Sequence, residues 1–137
     1  YFISEHFGSQ ACTVHIQAKK WNDWYECFTD CGRNRTGVDV IEWSKRVEGL
    51  GAGEILLSTV DNDGARNGFD LILAEKILKS VNIPVIIASG AGSLNDIYEV
   101  ASLNPSAIAL ASALHFELFN LNDIKSFLIK KGIEVKK

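Results

Sequence analysis

The chain has no methionine, only two prolines and only three cysteines in 137 residues, and each shortage narrows what it can be. Cys12, Cys27 and Cys31 are an odd number with neither CxxC nor His/Cys ligand spacing. That pattern argues against a disulfide scaffold and against a zinc site, and for reduced thiols in the cytoplasm. No block of Lys or Arg occurs and the formal net charge is −3, so the electrostatic footprint that phosphate-backbone binding requires is missing and a nucleic-acid partner is not expected. The longest apolar run falls well short of the ~18–20 residues that span a bilayer, and no signal-peptide pattern opens the chain. With no Met before Tyr1, the sequence reads as a fragment or processed piece, and Tyr1 to Phe7 reads as the tail of a helix that begins upstream.

What is present fits one α/β domain: 47% of the residues are hydrophobic, and apolar runs alternate with segments of helical periodicity. The first strand is expected over Cys12 to Gln17, followed by an excursion from Lys19 to Gly37. Within it Trp21-Asn22-Asp23-Trp24 suits a hairpin turn, with Trp24, Tyr25, Cys27 and Phe28 on the returning strand. The remaining strands are expected over Glu54 to Val60, Pro84 to Ser89 and Ala107 to Ser112. They lack strict alternation, as strands covered on both faces do.

Four helices follow the strands. Asp39 caps the first, with Glu42 completing a capping box and Val40, Trp43, Val47 and Leu50 on one face before Gly51 ends it. The second opens at Asp70 and buries Leu71, Ala74, Leu78 and Val81. Ser93 with Asp96 caps the third, which carries Leu94, Ile97, Tyr98 and Ala101. Asn120 with Asp123 caps the fourth, which carries Leu121, Ile124 and Leu128 and ends at Gly132. An open doubly wound sheet and half of a (β/α)8 barrel both accommodate four such units.

The second strand empties into Asp61-Asn62-Asp63-Gly64. Two carboxylates two positions apart on an extended chain share a face and can both reach a substrate, although Asp-Asn-Asp-Gly is also ordinary turn chemistry. Asp63 is the stronger candidate because Gly64 permits close backbone approach. Ser89-Gly90-Ala91-Gly92-Ser93 leads into a helix, a position where free N–H groups meet an anion such as phosphate, and Ala111-Ser112 ends the neighbouring strand. The same residues also suit a tight turn with small-residue packing. Glu54 starts its strand at the opposite end, as a solvated strand end does. His6, His15 and His115 lack metal-ligand spacing and read as structural or surface residues, and neither metal nor organic cofactor is indicated.

Taken together, His6-Phe7-Gly8-Ser9-Gln10, Ala18-Lys19-Lys20, Thr36-Gly37, Gly51-Ala52-Gly53-Glu54-Ile55-Leu56-Leu57, Asp61-Asn62-Asp63-Gly64, Gly68-Phe69-Asp70 and Ala88-Ser89-Gly90 resemble the cyclase subunits of imidazole glycerol phosphate synthase in order and spacing. The resemblance covers the C-terminal half of such a subunit. It implies an α/β fold that is half of a (β/α)8 TIM barrel, units five to eight, as a single domain over residues 1–137 with a β-hairpin insertion after the first strand and the N-terminal half-barrel absent.

The resemblance also implies a lyase/cyclase of histidine biosynthesis. Such an enzyme takes ammonia from a glutaminase partner and converts a bisphosphorylated formimino carboxamide ribonucleotide into imidazole glycerol phosphate and an aminoimidazole carboxamide ribotide. Two aspartates do the acid/base work in that family. One belongs to the first half, and the other's position, at the end of the fifth strand, holds Gln17 here. Asp63 fills the position at the end of the sixth strand. Phosphate binding falls to Gly64, Ser89, Gly90, Ala91, Ala111 and Ser112, and Glu54 matches a charge at the barrel bottom where ammonia enters.

Three departures accompany the match. An amide does not exchange protons near neutral pH, so Gln17 can position a substrate but cannot act as general acid or base. The glycine loop is one glycine short, and Asn104-Pro105-Ser106 replaces the usual Gly-Ala-Asp. Gln17 keeps a second function in view, that of cyclase-like proteins of surface-polysaccharide gene clusters that pass ammonia to a nucleotide-linked sugar. A third is an inactive half-barrel scaffold, since four βα units leave two open sheet edges and an uncovered interior that invite a complementary half.

Overall fold

The computed structural model describes residues 1–136. A short helix α1 (Phe2–Phe7) leads into β1 (Thr13–Trp21), β2 (Trp24–Thr29) and β3 (Asn34–Asp39). The chain continues through α2 (Val40–Gly49), β4 (Glu54–Thr59), α3 (Leu71–Ser80), β5 (Val85–Ala88), α4 (Leu94–Ala101), β6 (Ala107–Ala109), α5 (Ser112–His115) and α6 (Leu121–Lys130). One sheet of order β3-β2-β1-β4-β5-β6 results. β1, β4, β5 and β6 are parallel neighbours joined through α2, α3 and α4, and β2 and β3 pair antiparallel on the β1 side. Four parallel βα units with a hairpin inserted after the first are the α/β architecture of half a (β/α)8 barrel.

The strand boundaries differ from those expected. β1 runs on to Trp21 because the hairpin partner β2 extends its ladder through Lys19↔Glu26 and Trp21↔Trp24. β6 stops at Ala109, since the chain turns at Ala111 into α5, an element absent from the expected plan. Burial alternates where two covered faces were expected. Ile55, Leu57 and Thr59 of β4 and Val85 and Ile87 of β5 are buried in the core shared with Val47, Leu73, Ile77 and Ile97, whereas Glu54, Leu56, Ser58, Ile86 and Ala88 are only half-buried. Within this chain the helices cover one face. The other carries Thr13, His15 and Gln17 of β1 level with Glu54, Leu56 and Ser58 of β4.

Helix starts follow local side-chain chemistry. Asp39 Oδ1 accepts from the Ile41 and Glu42 N–H groups (2.8 and 3.0 Å), but Glu42 turns away to accept from Lys45 Nζ at 3.0 Å, so the expected capping box is half formed. At α4 the box is complete, with the Asp96 N–H donating to Ser93 Oγ and the Ser93 N–H to Asp96 Oδ2. Asn120 caps α6 through the Asp123 N–H at 2.9 Å. The buried stripes are shifted from those expected: Leu73 and Ile77 in α3 and Val100 in α4 are fully buried, whereas Leu50 and Leu121 stay exposed.

Candidate functional site

The loops that leave β4, β5 and β6 meet at one edge of the sheet. They enclose a cavity of about 140 Å³ whose lining includes Asp63, Ser89, Gly90, Ala91, Ala111 and Ser112. The Ser89 hydroxyl donates to Asp63 Oδ1 at 3.4 Å, which links the two loops through their polar groups. Ser89 holds φ +75, a left-handed conformation that costs a non-glycine residue free energy and that clusters at functional sites. Gly90, at φ +117, lets the two backbones touch. A Cβ there would collide with the Gly68 carbonyl oxygen, and the Gly68 N–H donates to the Gly90 carbonyl at 2.9 Å.

Asp61 and Asp63 part company. The chain is not extended after Thr59 but folds into a turn in which the Asn62 and Asp63 N–H groups both donate to the Thr59 carbonyl. Asp63 is thereby sent to the cavity. Asp61 turns to the hairpin, where Oδ2 accepts from the Lys20 N–H at 3.2 Å and Oδ1 lies 4.0 Å from Lys19 Nζ. The expectation that both carboxylates face one substrate therefore does not hold. Gly64 lies outside the cavity lining, in the same turn.

The α4 terminus also differs from the expected anion site. Asp96 Oδ2 accepts from the Gly92 and Ser93 N–H groups at 3.0 and 2.8 Å, so these donors are already paired. The side of the loop that faces the cavity is Ser89 to Ala91, opposite Ala111 and Ser112.

Gln17, expected at the end of its strand, lies instead in the middle of β1, where it pairs with Ser58 in the sheet register, and its Oε1 accepts from the Gly32 N–H at 3.1 Å. The contact fixes the carboxamide and leaves its NH2 as the group to offer a ligand. At the other end of the same face Glu54 Oε2 accepts from the Thr13 hydroxyl at 3.2 Å.

The hairpin that flanks Gln17 is anchored by buried polar groups that sequence reasoning passed over. Glu26 is fully buried. Burial pulls its carboxyl upward, but the Gly37 N–H (2.7 Å to Oε1) and Arg35 (Nε 3.0 Å from Oε2) outweigh that and hold it below the usual carboxylate range. Burial, with the nearby Asp39 and Glu26 charges, pushes the Cys27 thiol up to about 12, which keeps it an unreactive thiol. Among the described residues, all three cysteines are free. The Tyr25 hydroxyl donates to both Asp70 oxygens at 3.0 and 2.9 Å and so ties β2 to the cap of α3.

Burial first, and Asp70 second, raise the Tyr25 phenol well above its ordinary value. The folded chain therefore holds that proton more tightly than the unfolded chain. Its contribution is complete below the unfolded phenol pKa of about 10 and is lost as pH rises beyond it. Tyr25→Phe is expected to cost about 1–3 kcal/mol at pH 7, and to flatten the fall in denaturant midpoint above about pH 10. Parallel pH dependences of the two proteins would refute the assignment.

His15 and Ser58 were also missed as a pair: His15 Nε2 lies 2.8 Å from Ser58 Oγ on the uncovered face. Period-2 alternation puts His15 on the face of Gln17, but only the parallel register brings Ser58 to it. Among the described residues no helix is long and apolar enough to cross a membrane.

A family model described as histidine biosynthesis protein matches residues 2–120. The subunit HisF of imidazole glycerol phosphate synthase from Saccharolobus solfataricus is 49% identical over 134 residues, covering 97% of this chain and 53% of that protein. The same subunit from Prochlorococcus marinus subsp. pastoris is 47% identical over 138 residues (97% and 54%), and that from Pyrobaculum aerophilum 42% identical over 135 residues (98% and 53%). The chain spans about half the length of the curated relatives it matches. With a family match over most of its length and a sheet of four parallel βα units, the chain belongs to the histidine biosynthesis protein family.

Proposed function

We propose that this chain is the C-terminal half of a (β/α)8 cyclase, the part of an imidazole glycerol phosphate synthase that uses ammonia to close the imidazole ring in histidine biosynthesis. The observation that carries the reading is the cavity that joins Asp63 to Ser89, Gly90, Ala91, Ala111 and Ser112 at the C-terminal edge of parallel strands, where barrel enzymes hold their substrates. Asp63 serves as the acid/base group. The Ser89–Ala91 turn and the Ala111–Ser112 turn hold a phosphate of the phosphorylated substrate, with Gly64 shaping the loop that carries Asp63. Gln17 positions substrate from the middle of β1, level with the C-terminal end of β4. An N-terminal half-barrel covers the open face and completes the site, a glutaminase subunit supplies ammonia, and the free thiols suit the reducing cytoplasm.

The test is to express the full reading frame that contains this segment. It is assayed with ammonium salt and the bisphosphorylated histidine-pathway intermediate, beside a Gln17→Asp variant. Turnover by the unmodified protein is the expected result. No turnover, with rescue by Gln17→Asp, would overturn the reading in favour of ammonia transfer to a nucleotide-linked sugar.

Glu54, which starts β4 and accepts from the Thr13 hydroxyl, is the group we assign to ammonia entry. Glu54→Ala is expected to lower glutamine-driven turnover about tenfold or more while ammonium-driven turnover changes little, because a group remote from Asp63 does not touch the reacting atoms. Equal loss with both nitrogen sources would count against that role.

A further inference from the structure

We propose that His15 and Ser58 form a proton relay that serves the ring-closing reaction from the strand face beside Asp63. The inference rests on the cyclase reading and goes beyond it, since that reading leaves Asp63 as the site's acid/base group.

The sheet register places the pair. Ser58 lies between Gln17 of β1 and Ala88 of β5 on the uncovered face, and Ala88 lines the cavity that holds Asp63. A hydroxyl at that point is level with the substrate-facing end of the strands. His15 is two residues before Gln17 on the same face, and its Nε2 is 2.8 Å from Ser58 Oγ. In this chain His15 is exposed and Ser58 half-buried, on the face that the proposed N-terminal half-barrel would cover. Gln17 cannot fill the same role, because its carboxamide neither gains nor loses a proton near neutral pH and is already held by the Gly32 N–H.

Ser58 touches the substrate and His15 acts through it. With the proton of His15 on Nδ1, Nε2 accepts the Ser58 hydroxyl. As a substrate O–H or N–H proton moves to Ser58 Oγ, the Ser58 proton moves to Nε2. The electron pair of the broken bond stays on the substrate, and the imidazole becomes an imidazolium. Reversal of the two transfers delivers the proton to a leaving or product atom later in the cycle, so the relay ends as it began. The surroundings favour such an exchange. The charged groups on the same face are Glu54 of β4, which accepts from Thr13, and Lys19 of β1, which lies near Asp61. Across the hairpin Glu26 is committed to Arg35 and Gly37, and Cys27 stays a protonated thiol. β5 and β6 present Ile86, Ala88, Ala107 and Ala109, none of which ionises.

The test uses the full-length protein that carries this segment, with ammonium as nitrogen source, and compares the pH profiles of kcat and kcat/KM. His15→Asn and Ser58→Ala are each expected to lower kcat ~10²-fold with KM changed less than about threefold, and to remove the same limb of the kcat/KM profile. In the Gln17→Asp background, where a carboxylate level with Ser58 replaces the relay, His15→Asn is expected to lower kcat less than about threefold relative to Gln17→Asp alone. A purely structural role for His15 would give the same loss in both backgrounds. Unchanged kcat, a loss confined to KM, an equal loss in both backgrounds, or a loss seen only with glutamine as nitrogen source would each overturn the relay. The last would place the pair on the ammonia path instead. If the unmodified protein is itself silent, the cyclase reading falls and the relay with it; if it turns over and the variants are indifferent, only the relay falls.

Discussion

Asp63→Asn is expected to lower ammonium-driven turnover of the completed protein ~10²–10⁴-fold, with the substrate KM little changed. The substitution is nearly isosteric, and Ser89 can still donate to the amide oxygen as it does to Oδ1 at 3.4 Å, so the two loops keep their polar link. What disappears is the exchangeable proton. The neighbouring carboxylate supplies an internal control: Asp61 faces Lys19 and the Lys20 N–H rather than the cavity. Asp61→Asn removes an exposed ion pair that contributes about 0–1 kcal/mol, and the expected loss of turnover is below about tenfold. Steady-state kinetics on the two variants, side by side, decide the matter. Equal losses would mean that the turn acts as a unit and that Asp63 has no separate role. A loss at Asp63 confined to KM would make it a binding group.

The contrast between these two aspartates also shows how far the sequence can be read. An apolar strand that runs into Asp-Asn-Asp-Gly announces a polar loop at the C-terminal edge of the sheet, and the cavity is there. Which carboxylate enters it is decided by the Asn62 and Asp63 N–H groups closing on the Thr59 carbonyl, a backbone event that side-chain spacing on an imagined extended chain does not contain. Helix starts were the most legible features, because Asp39, Asp70, Ser93 and Asn120 each act on N–H groups two or three residues away. Buried stripes were less so. α3 carries Leu71, Ile72, Leu73, Ile77 and Leu78, apolar over more than one face, and only the position of the sheet selects Leu73, Ala74 and Ile77. Contacts over long separations were not legible at all. His15 meets Ser58 across 43 positions and Tyr25 meets Asp70 across 45, and both depend on how parallel strands and the hairpin align.

Gly90→Ala is expected to destabilise the protein by about 2–4 kcal/mol and to abolish the cavity proposed to hold a substrate phosphate. Two costs add. An alanine at φ +117 lies in a region that L-residues avoid, worth about 1–3 kcal/mol, and displacement of the loop breaks the bond from the Gly68 N–H to the Gly90 carbonyl, worth about 1 kcal/mol. Relief by side-chain movement is closed off, because the atoms that the new Cβ would meet are backbone: the Gly68 carbonyl oxygen, its carbon at 2.7 Å and the Phe69 nitrogen at 3.0 Å. The β5 loop must therefore part from the β4 loop, carrying Ser89 away from Asp63, so binding and stability fail together. Gly64→Ala separates strain from contact. Gly64 has φ +71, and a Cβ added there would meet no atom within 4 Å, so only the backbone cost remains, about 1 kcal/mol. Thermal or denaturant unfolding of both variants, with KM for the phosphorylated substrate, checks both effects. If Gly90→Ala melts no lower than Gly64→Ala and keeps its KM, the two loops do not depend on that backbone contact. The proposed phosphate site would then rest on the Ala111–Ser112 side of the cavity alone.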